Sequence, residues 1–211
     1  MKIAKNRNKV SNVMGKIIIK FHNTLDTSGT RATLANLRNS IGRGLSDTVD
    51  VWAEVFSEMP TEFLSRNGKV TEEENAIFSA LQLYALHQQG SVESVHNPFV
   101  PEYENEDQKK IINFPEDLGR SLNRLRREVE DSNSLDRRFN TMITSKNFGE
   151  IIVHLRHLIK ILKGKSSIKI DYVKLAEDLY WIQKSTGEQT RLKWGQNYYS
   201  IRKEDKNNDK Q

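Results

Sequence analysis

The spacing of the apolar residues is the feature that most restricts how this 211-residue chain can fold. Leucine, isoleucine, valine and aromatic side chains recur every three or four positions along most of the sequence, which is the period of an α-helix with one buried face. No segment shows the alternation of apolar and polar residues that is typical of a half-buried strand. The sequence therefore predicts an all-α fold.

Local start and stop signals divide the first half of this pattern into four helices. The first is expected over 10–25, and the second ends at a glycine-rich turn just after residue 41. The third is expected over 47–60, where a proline ends it. The fourth begins with a capping box, because the side chains of Thr71 and Glu74 have the spacing to satisfy each other's backbone N–H groups.

The helical pattern breaks in the middle of the chain and then resumes. Residues 90–115 include three of the four prolines and show no sustained period, which is unusual inside one compact domain. Beyond them, further helices are expected within 116–130, 134–143, 147–164, 171–182 and 190–201, which gives about eight in all. We therefore expect two small helical bundles, 1–95 and 116–202, joined by a linker or functional loop at 96–115. The polar tail, 203–211, is expected to be disordered.

The composition excludes several classes of protein. The chain has no cysteine, which excludes disulfides, zinc ribbons, iron–sulfur clusters and thiol catalysis. No apolar run approaches the roughly 20 residues that a membrane span requires. The first residues also lack the features of a signal peptide. We expect a soluble, cytoplasmic protein with no membrane partner.

The distribution of charge is more informative than the net charge. Lys and Arg number 33 and Asp and Glu 28, a formal net charge of +5. Acidic residues are absent from 1–25, 27–46, 151–170 and 189–203, and they are concentrated in 47–74 and 102–107. If the basic segments fold onto one face, that face would attract phosphate groups. The alternative is that they are solvated helix faces.

The sequence contains no convincing catalytic or metal-binding set. The Gly-Lys-Ser at 164–166 resembles the end of a P-loop, but Ile159 stands where that motif needs a glycine, and a helix precedes it instead of a strand. Glu150, His154 and His157 could lie on one side of a helix, yet no second cluster completes a metal site. The sequence therefore predicts a protein without enzymatic activity, cofactor or metal.

Two of the predicted helices carry rows of basic residues at positions i, i+4 and i+7. Such a row presents a charge about every 5–6 Å, which suits a phosphate backbone without reading its bases. The alternative is that these side chains serve solubility or pair with neighbouring glutamates. The pattern favours phosphate binding more strongly for the row in 116–130 than for the row in 147–164. The rows are Arg120, Arg124 and Arg127 in 116–130, with Arg126 beside them, and Arg156, Lys160 and Lys163 in 147–164.

Four stretches, taken together in order and spacing, resemble the CasB family, the small subunit of the type I-E CRISPR Cascade complex. They are RATLANLR at 31–38, then Trp52 with Val55-Phe56 followed by Phe78, Leu81 and Tyr84-Ala85, LNRLRR at 122–127, and the segment from 170 to the two tyrosines at 198–199. The family often has a second basic residue after the first leucine–arginine pair. Here that position is Asn39, and Arg43 is the nearest basic replacement.

This resemblance implies a non-catalytic, all-α subunit of a crRNA-guided complex. The family acts with a second copy of itself, beside the backbone and large subunits, and helps to hold the crRNA–target duplex and the displaced DNA strand. Together with the charge pattern, the resemblance gives nine candidate phosphate contacts: Arg31, Arg38, Arg43, Arg120, Arg124, Arg127, Arg156, Lys160 and Lys163.

Other functions remain open at the level of the sequence. One is a protein–protein scaffold whose acidic block at 47–74 binds a basic partner, and another is a sequence-tolerant nucleic-acid-binding protein or helical regulator unrelated to CRISPR. The apolar patterns around Trp52, Trp181 and Trp194 predict that all three belong to the core. The same patterns do not decide whether Tyr198 and Tyr199 pack inside or stack on bases.

Overall fold

The computed structural model of the chain describes residues 2–100 and 116–200, with side chains from residue 9 onward. These residues form α-helices and short 3₁₀ turns and no strand, which confirms the predicted all-α fold. None of the described helices is long and apolar enough to cross a membrane. The helices are α1 (Lys2–Asn23), α2 (Ser28–Asn39), α3 (Trp52–Phe56), α4 (Glu72–Gln88), α5 (Leu118–Glu128), α6 (Asn133–Thr144), α7 (Phe148–Lys165), α8 (Tyr172–Ile182) and α9 (Gly187–Tyr199).

Helix α4 forms the centre of the fold. Every residue from 76 to 88 is buried, because α4 packs against α1, α2, α7 and α8 and is apolar on most of its circumference. The predicted capping box is confirmed: the Glu74 backbone N–H donates to Thr71 Oγ1 at 3.1 Å, and the Thr71 N–H donates to Glu74 Oε2 at 2.8 Å. This cap fixes the start of the most buried helix.

The two halves of the chain share part of their core. Helix α8 from the second half packs against α1 and α4 from the first, and an isolated bridge joins His96 to Ile170. The division into two bundles stays a prediction. Most of the predicted linker and the whole of the predicted tail at 203–211 lie outside the described residues.

The remaining helices of the second half pack around α7 and α9. Helix α7 lies against both α4 and α6, while α5 packs on α9. The contact between α5 and α9 depends on Gly119, since a Cβ atom there would overlap the backbone carbonyl of Trp194. Trp194 is itself fully buried, as its apolar pattern predicts.

The prediction of a single helix over 47–60 is wrong. The chain instead forms 3₁₀ turns at Leu45–Asp47 and Val49–Val51 and then the short helix α3. Thr48 interrupts a continuous helix, because its backbone leaves the helical region and its hydroxyl donates to the Leu45 carbonyl.

The prediction that Trp52 belongs to the core is also wrong. Its side chain is 36% exposed, and its indole N–H donates to the Leu45 carbonyl at 2.7 Å. Trp181 is partly buried against the core. In the second half, the helix predicted within 134–143 forms as α6 over Asn133–Thr144.

Candidate nucleic-acid interface

Basic side chains from α2 and α7 converge beside the end of α4. Helix α2 buries Leu34 and Leu37, and Arg31 and Arg38 flank this apolar stripe. Near the end of α7, Lys163 Nζ donates to Gln89 Oε1 at 3.0 Å. Partial burial lowers the pKa of Lys163, and the nearby positive charge of Arg38 lowers it further. The two side chains are therefore electrostatic neighbours although they are far apart in the sequence.

Two clefts meet at the turn that follows α4. One cleft, of about 580 Å³, is lined by Arg31 and Arg38 together with residues 88–92. The other, of about 460 Å³, is lined by Lys163 and Lys169 together with residues 89–95. The turn begins at Gly90, whose φ of +81° suits glycine. The clefts share the turn, and each has two basic residues and one acidic residue in its lining, Asp26 in the first and Glu93 in the second.

The basic surface continues along α7 and reaches α6. Burial lowers the pKa of His157, and so do the positive charges of Arg138, Lys160 and Arg156 in that order. Arg138 of α6 therefore lies within electrostatic range of the α7 row. We call the whole surface the basic strip, and it comprises Arg31, Arg38, Arg138, Arg156, Lys160 and Lys163.

The cationic side chains of the basic strip have few acidic neighbours. Within residues 9–100 and 116–200, none of its six members forms an ion pair with a carboxylate. The Nε atom of Arg156 is buried and has no hydrogen-bond partner in the same part of the chain. Carboxylates of the described residues therefore leave these positive charges without direct compensation.

The row on α5 has a different environment. Arg124 forms an ion pair with Glu116, and Arg127 Nη2 donates to Asn123 Oδ1 at 2.7 Å. Arg120 lies in the first turn of the helix, where its backbone N–H donates to Asp117 Oδ1. We call Arg120, Arg124 and Arg127 the α5 row.

Arg126, beside the α5 row, is a structural residue. Its Nε and Nη2 atoms donate to the two carboxylate oxygens of Asp136 at 2.8 and 3.1 Å. Its guanidinium carbon also lies 5.8 and 5.5 Å from the ring centroids of Tyr198 and Tyr199. The hydrogen bond from Arg126 is the main cause of the lowered pKa of Asp136. Arg126 thus joins α5 to α6 and α9.

The same cluster decides the positions of the two tyrosines. Tyr198 is buried, stacks on Phe139 at a centroid distance of 3.8 Å and donates its hydroxyl to Asp136. Tyr199 is 43% exposed and donates to Asn140 Oδ1 at 2.9 Å. Tyr198 therefore belongs to the core, and only Tyr199 presents a substantial surface to solvent.

Arg43 and three lysines of α1 have partners within the chain. Arg43 Nη2 donates to the backbone carbonyl of Asp47, so this side chain folds back on its own loop. Three lysines of α1 pair with three glutamates of the acidic block. These pairs are Lys9–Glu62, Lys16–Glu58 and Lys20–Glu54, with distances of 3.3 and 3.0 Å for the last two.

Five of the nine predicted contacts thus belong to the basic strip. The other four are Arg43 and the three arginines of the α5 row. Sequence reasoning did not select Arg138 or Lys169. Lys169 lies in the acid-free window 151–170, a usable signal, whereas Arg138 follows an acidic residue by only two positions and has none. The five in the strip are Arg31, Arg38, Arg156, Lys160 and Lys163.

No set of three or more histidine or acidic side chains could hold a metal ion in the part of the chain that the structure describes. Glu150, the acidic member of the set weighed from the sequence, instead stabilises the start of α7. Its backbone N–H donates to Asn147 Oδ1 at 2.9 Å, and its carboxylate accepts from the Lys146 N–H at 3.3 Å. This is the ordinary role of an acid in the first turn of a helix.

The fold and the site define a class: a basic all-α protein whose cationic side chains from three helices share one surface. Residues 33–199 match the family described as CRISPR-associated protein Cse2, and the chain belongs to that family. The predicted resemblance to CasB is confirmed. The crystal structure of CasB from Thermobifida fusca has the same fold, with a TM-score of 0.67 and 23% identity over 90% of this chain and 98% of that one. Comparison with curated proteins gives no significant match.

Proposed function

We propose that the chain is a non-catalytic subunit of a type I-E CRISPR Cascade complex in the cytoplasm, where it stabilises the R-loop. Membership of the Cse2 family supports a Cascade subunit. In this proposal the protein holds the backbone of the crRNA–target duplex and of the displaced strand. Its protein partners are the backbone and large subunits and a second copy of itself.

The observation that carries the proposal is the basic strip. Three helices contribute to it, and its charges have no carboxylate partner within the described residues. From Arg156 to Lys163 the strip extends by about 10 Å along α7, which corresponds to about three phosphates of one strand. A row of this length suits a nucleic-acid backbone better than a single bound anion.

The chemistry of the basic strip also fits a protein that does not read sequence. Lysine and arginine contacts to phosphate fix the position of a strand but carry no information about its bases. In an RNA-guided complex the pairing between guide and target supplies the specificity. The subunit then needs only electrostatic attraction, which depends steeply on salt.

The scaffold hypothesis is less well supported. Glu54, Glu58 and Glu62 of the acidic block already pair with lysines of α1 in the same chain. Their charges are therefore largely compensated before any basic partner approaches. We accordingly favour nucleic-acid stabilisation over docking of a basic protein through this block.

Two matched variants test the proposal in the assembled complex. The strip variant carries Arg38→Gln, Lys160→Gln and Lys163→Gln, and the α5 variant carries Arg120→Gln, Arg124→Gln and Arg127→Gln. Each removes three positive charges. Permanganate reactivity of displaced-strand thymines should rise in complexes with the strip variant and change little with the α5 variant.

The copurifying RNA provides the second part of the test. Wild-type protein isolated from its own cells should carry repeat-derived guide RNA together with the other subunits. Random cellular RNA, or equal permanganate reactivity in wild-type and strip-variant complexes, would contradict the proposed function.

A further inference from the structure

A row of three lysines follows one side of α1. Their spacing of i, i+7 and i+11 places them within about 40° of one another around the helix and spreads them over about 16 Å of its length. Residues 1–25 contain no acidic side chain, so α1 itself offers these lysines no compensating charge. We call the three residues the lysine row, and they are Lys9, Lys16 and Lys20.

Three glutamates of the acidic block pair with the lysine row one for one. The two rows run in opposite directions, so the first lysine pairs with the last glutamate and the last lysine with the first. Lys20 Nζ donates to both carboxylate oxygens of Glu54, at 3.0 and 3.1 Å. We call Glu54, Glu58 and Glu62 the glutamate row. Its carboxylates compensate a set of charges that would otherwise resemble the basic strip.

The segment that carries the glutamate row is held in the fold by other residues. Each glutamate of the row precedes an apolar side chain that is buried in the core. The ion pairs themselves lie largely at the surface, where such pairs contribute little to stability. In the pair of Lys16 with Glu58, for example, the lysine side chain is 66% exposed. The buried neighbours are Val55, Met59 and Phe63.

The lysine row leads towards the helix that carries Arg31 and Arg38. Thr24 lies one turn beyond Lys20, and its hydroxyl donates to the Lys20 carbonyl at 2.8 Å. The same hydroxyl is 2.7 Å from that of Thr30, which lies in the first turn of α2. An uncompensated lysine row would therefore extend the positive charge of α2 along the length of α1.

We infer that the glutamate row competes with phosphate for the lysine row and so confines nucleic acid to the basic strip. This inference rests on the proposed function and adds to it a second surface, which the chain itself withholds. An ammonium group that is paired at the surface binds a carboxylate or a phosphate by the same electrostatic attraction. Because the carboxylates belong to the same chain, they reach the lysines at a high effective concentration, and nucleic acid has to displace them.

The test removes the carboxylates and retains the shape of their side chains. The glutamate variant carries Glu54→Gln, Glu58→Gln and Glu62→Gln. Fluorescence anisotropy measures binding of the full chain to an oligothymidine of about 12 nucleotides, within the range of single-strand site sizes. The glutamate variant should bind about tenfold more tightly than wild type at low salt. Its salt dependence should steepen by about 2, close to 0.7 for each of three gained contacts.

A charge control separates release of the lysine row from the rise in net charge. It removes three acidic residues that have no ion pair within residues 9–100 and 116–200. The net charge changes as in the glutamate variant, but no lysine is released, so affinity should rise less than about threefold. The changes are Asp50→Asn, Asp131→Asn and Glu188→Gln.

Removal of the lysines completes the cycle. When Lys9→Gln, Lys16→Gln and Lys20→Gln are added to the glutamate variant, the affinity should return to near that of wild type. The same three changes in the wild-type background should weaken binding less than about threefold, because the paired lysines do not contact the strand. The difference between these two effects measures the coupling of the rows.

A single change keeps the test valid if the triple variant does not fold. Glu58→Gln releases only Lys16 and should increase affinity about twofold. Circular dichroism should show wild-type helicity for this variant and for the charge control. An unchanged affinity in the folded Glu58→Gln variant would speak against competition at this pair.

The outcomes distinguish this inference from the proposed function. If the glutamate variant and the charge control bind oligothymidine equally tightly, the gain is an effect of net charge and the inference is overturned. If the glutamate variant is less stable and binds no more tightly than wild type, its ion pairs are structural and the inference is likewise wrong. If the strip variant binds as tightly as wild type, the proposed function fails, whereas the comparison with the charge control still decides whether the lysine row is withheld.

Discussion

The α5 row and the basic strip begin from the same sequence pattern and differ in their three-dimensional neighbours. Both contain basic residues at i, i+4 and i+7 on one helix. On α5, Arg124 pairs with Glu116 and Arg127 donates to Asn123. On α7, by contrast, Arg156 and Lys160 have no carboxylate partner within the described residues, and the nearby charge is positive.

This difference shows what periodicity can and cannot establish. The spacing places charges on one side of a helix, but the neighbouring elements decide whether those charges are compensated. The sequence favoured the α5 row over the row on α7. Because Arg124 is paired with Glu116, we propose the opposite order. Partners such as Glu116 for Arg124 and Asp136 for Arg126 lie eight and ten residues away, beyond the one-turn spacing at which pairing can be read from a sequence.

The largest expected effect concerns affinity. The strip variant should bind single-stranded DNA on the order of 30-fold more weakly than wild type at low salt, because three phosphate contacts are lost. The α5 variant should differ from wild type by less than about threefold, since Arg124 is already paired with Glu116 and Arg127 donates to Asn123. Anisotropy titrations of both variants check this, and equal losses would remove the distinction between the two regions.

The next effect concerns stability. Arg126→Ala should lower the free energy of unfolding by about 1–2 kcal/mol, because it removes a two-point ion pair and the contacts with two tyrosine rings. The melting temperature should fall by about 2–8 °C, whereas Lys160→Ala should leave it nearly unchanged. Calorimetry provides the measurement, and equal melting temperatures would show that Arg126 is not structural.

The pH dependence of Arg126→Ala follows from the ion pair. The pKa of Asp136 in the folded protein lies below its ordinary value of 3.8, so its contribution to stability is present at neutral pH. That contribution is lost as the pH falls through the folded-state pKa. The stability difference between wild type and Arg126→Ala should therefore shrink below pH 3.8, and a difference that grows in acid would contradict this explanation.

A smaller effect should follow when a compensating acid is removed. Glu116→Gln frees Arg124 and should increase affinity for single-stranded DNA about twofold to threefold. Glu93→Gln should act in the same direction through Lys169, which lines the cleft of Lys163. Weaker binding by both variants would show that these carboxylates do not compete with phosphate.

The smallest expected effect is a pH dependence confined to the basic strip. Burial and the charges of Arg138, Lys160, Arg156 and His154 hold the pKa of His157 below its ordinary value of 6.5. A bound phosphate would raise that pKa, so DNA binding should take up a proton and strengthen about twofold as the pH falls below 6.5. His157→Gln should abolish this component. An unchanged pH profile in that variant would rule out His157 as its source.

Much of the fold follows from the sequence because helical period and caps are local signals. The capping box of Thr71 and Glu74 is an example, since both partners lie within one turn. The error at 47–60 is local too, because Thr48 offers the backbone a competing hydrogen bond that apolar spacing does not reveal. The exposed position of Trp52 follows from that same broken helix.

The candidate site was less predictable, because its parts come from distant segments. Arg38 and Lys163 are 125 positions apart (163 − 38) in the chain, and only the packing of α2 and α7 against α4 brings them together. Ile19 of α1 and Val92 of the turn after α4 are also distant in the sequence, yet they line one pocket beside the start of α8. Neither arrangement leaves a pattern of fixed spacing in the sequence.

The salt dependence of single-stranded DNA binding tests the central claim most directly. For each protein, the logarithm of the association constant is plotted against the logarithm of salt concentration, and the slope reports the number of phosphates neutralised. The strip variant should lower the slope by about 2, close to 0.7 for each of three lost contacts, and the α5 variant should leave it unchanged. A slope that falls for the α5 variant and stays constant for the strip variant would contradict the account.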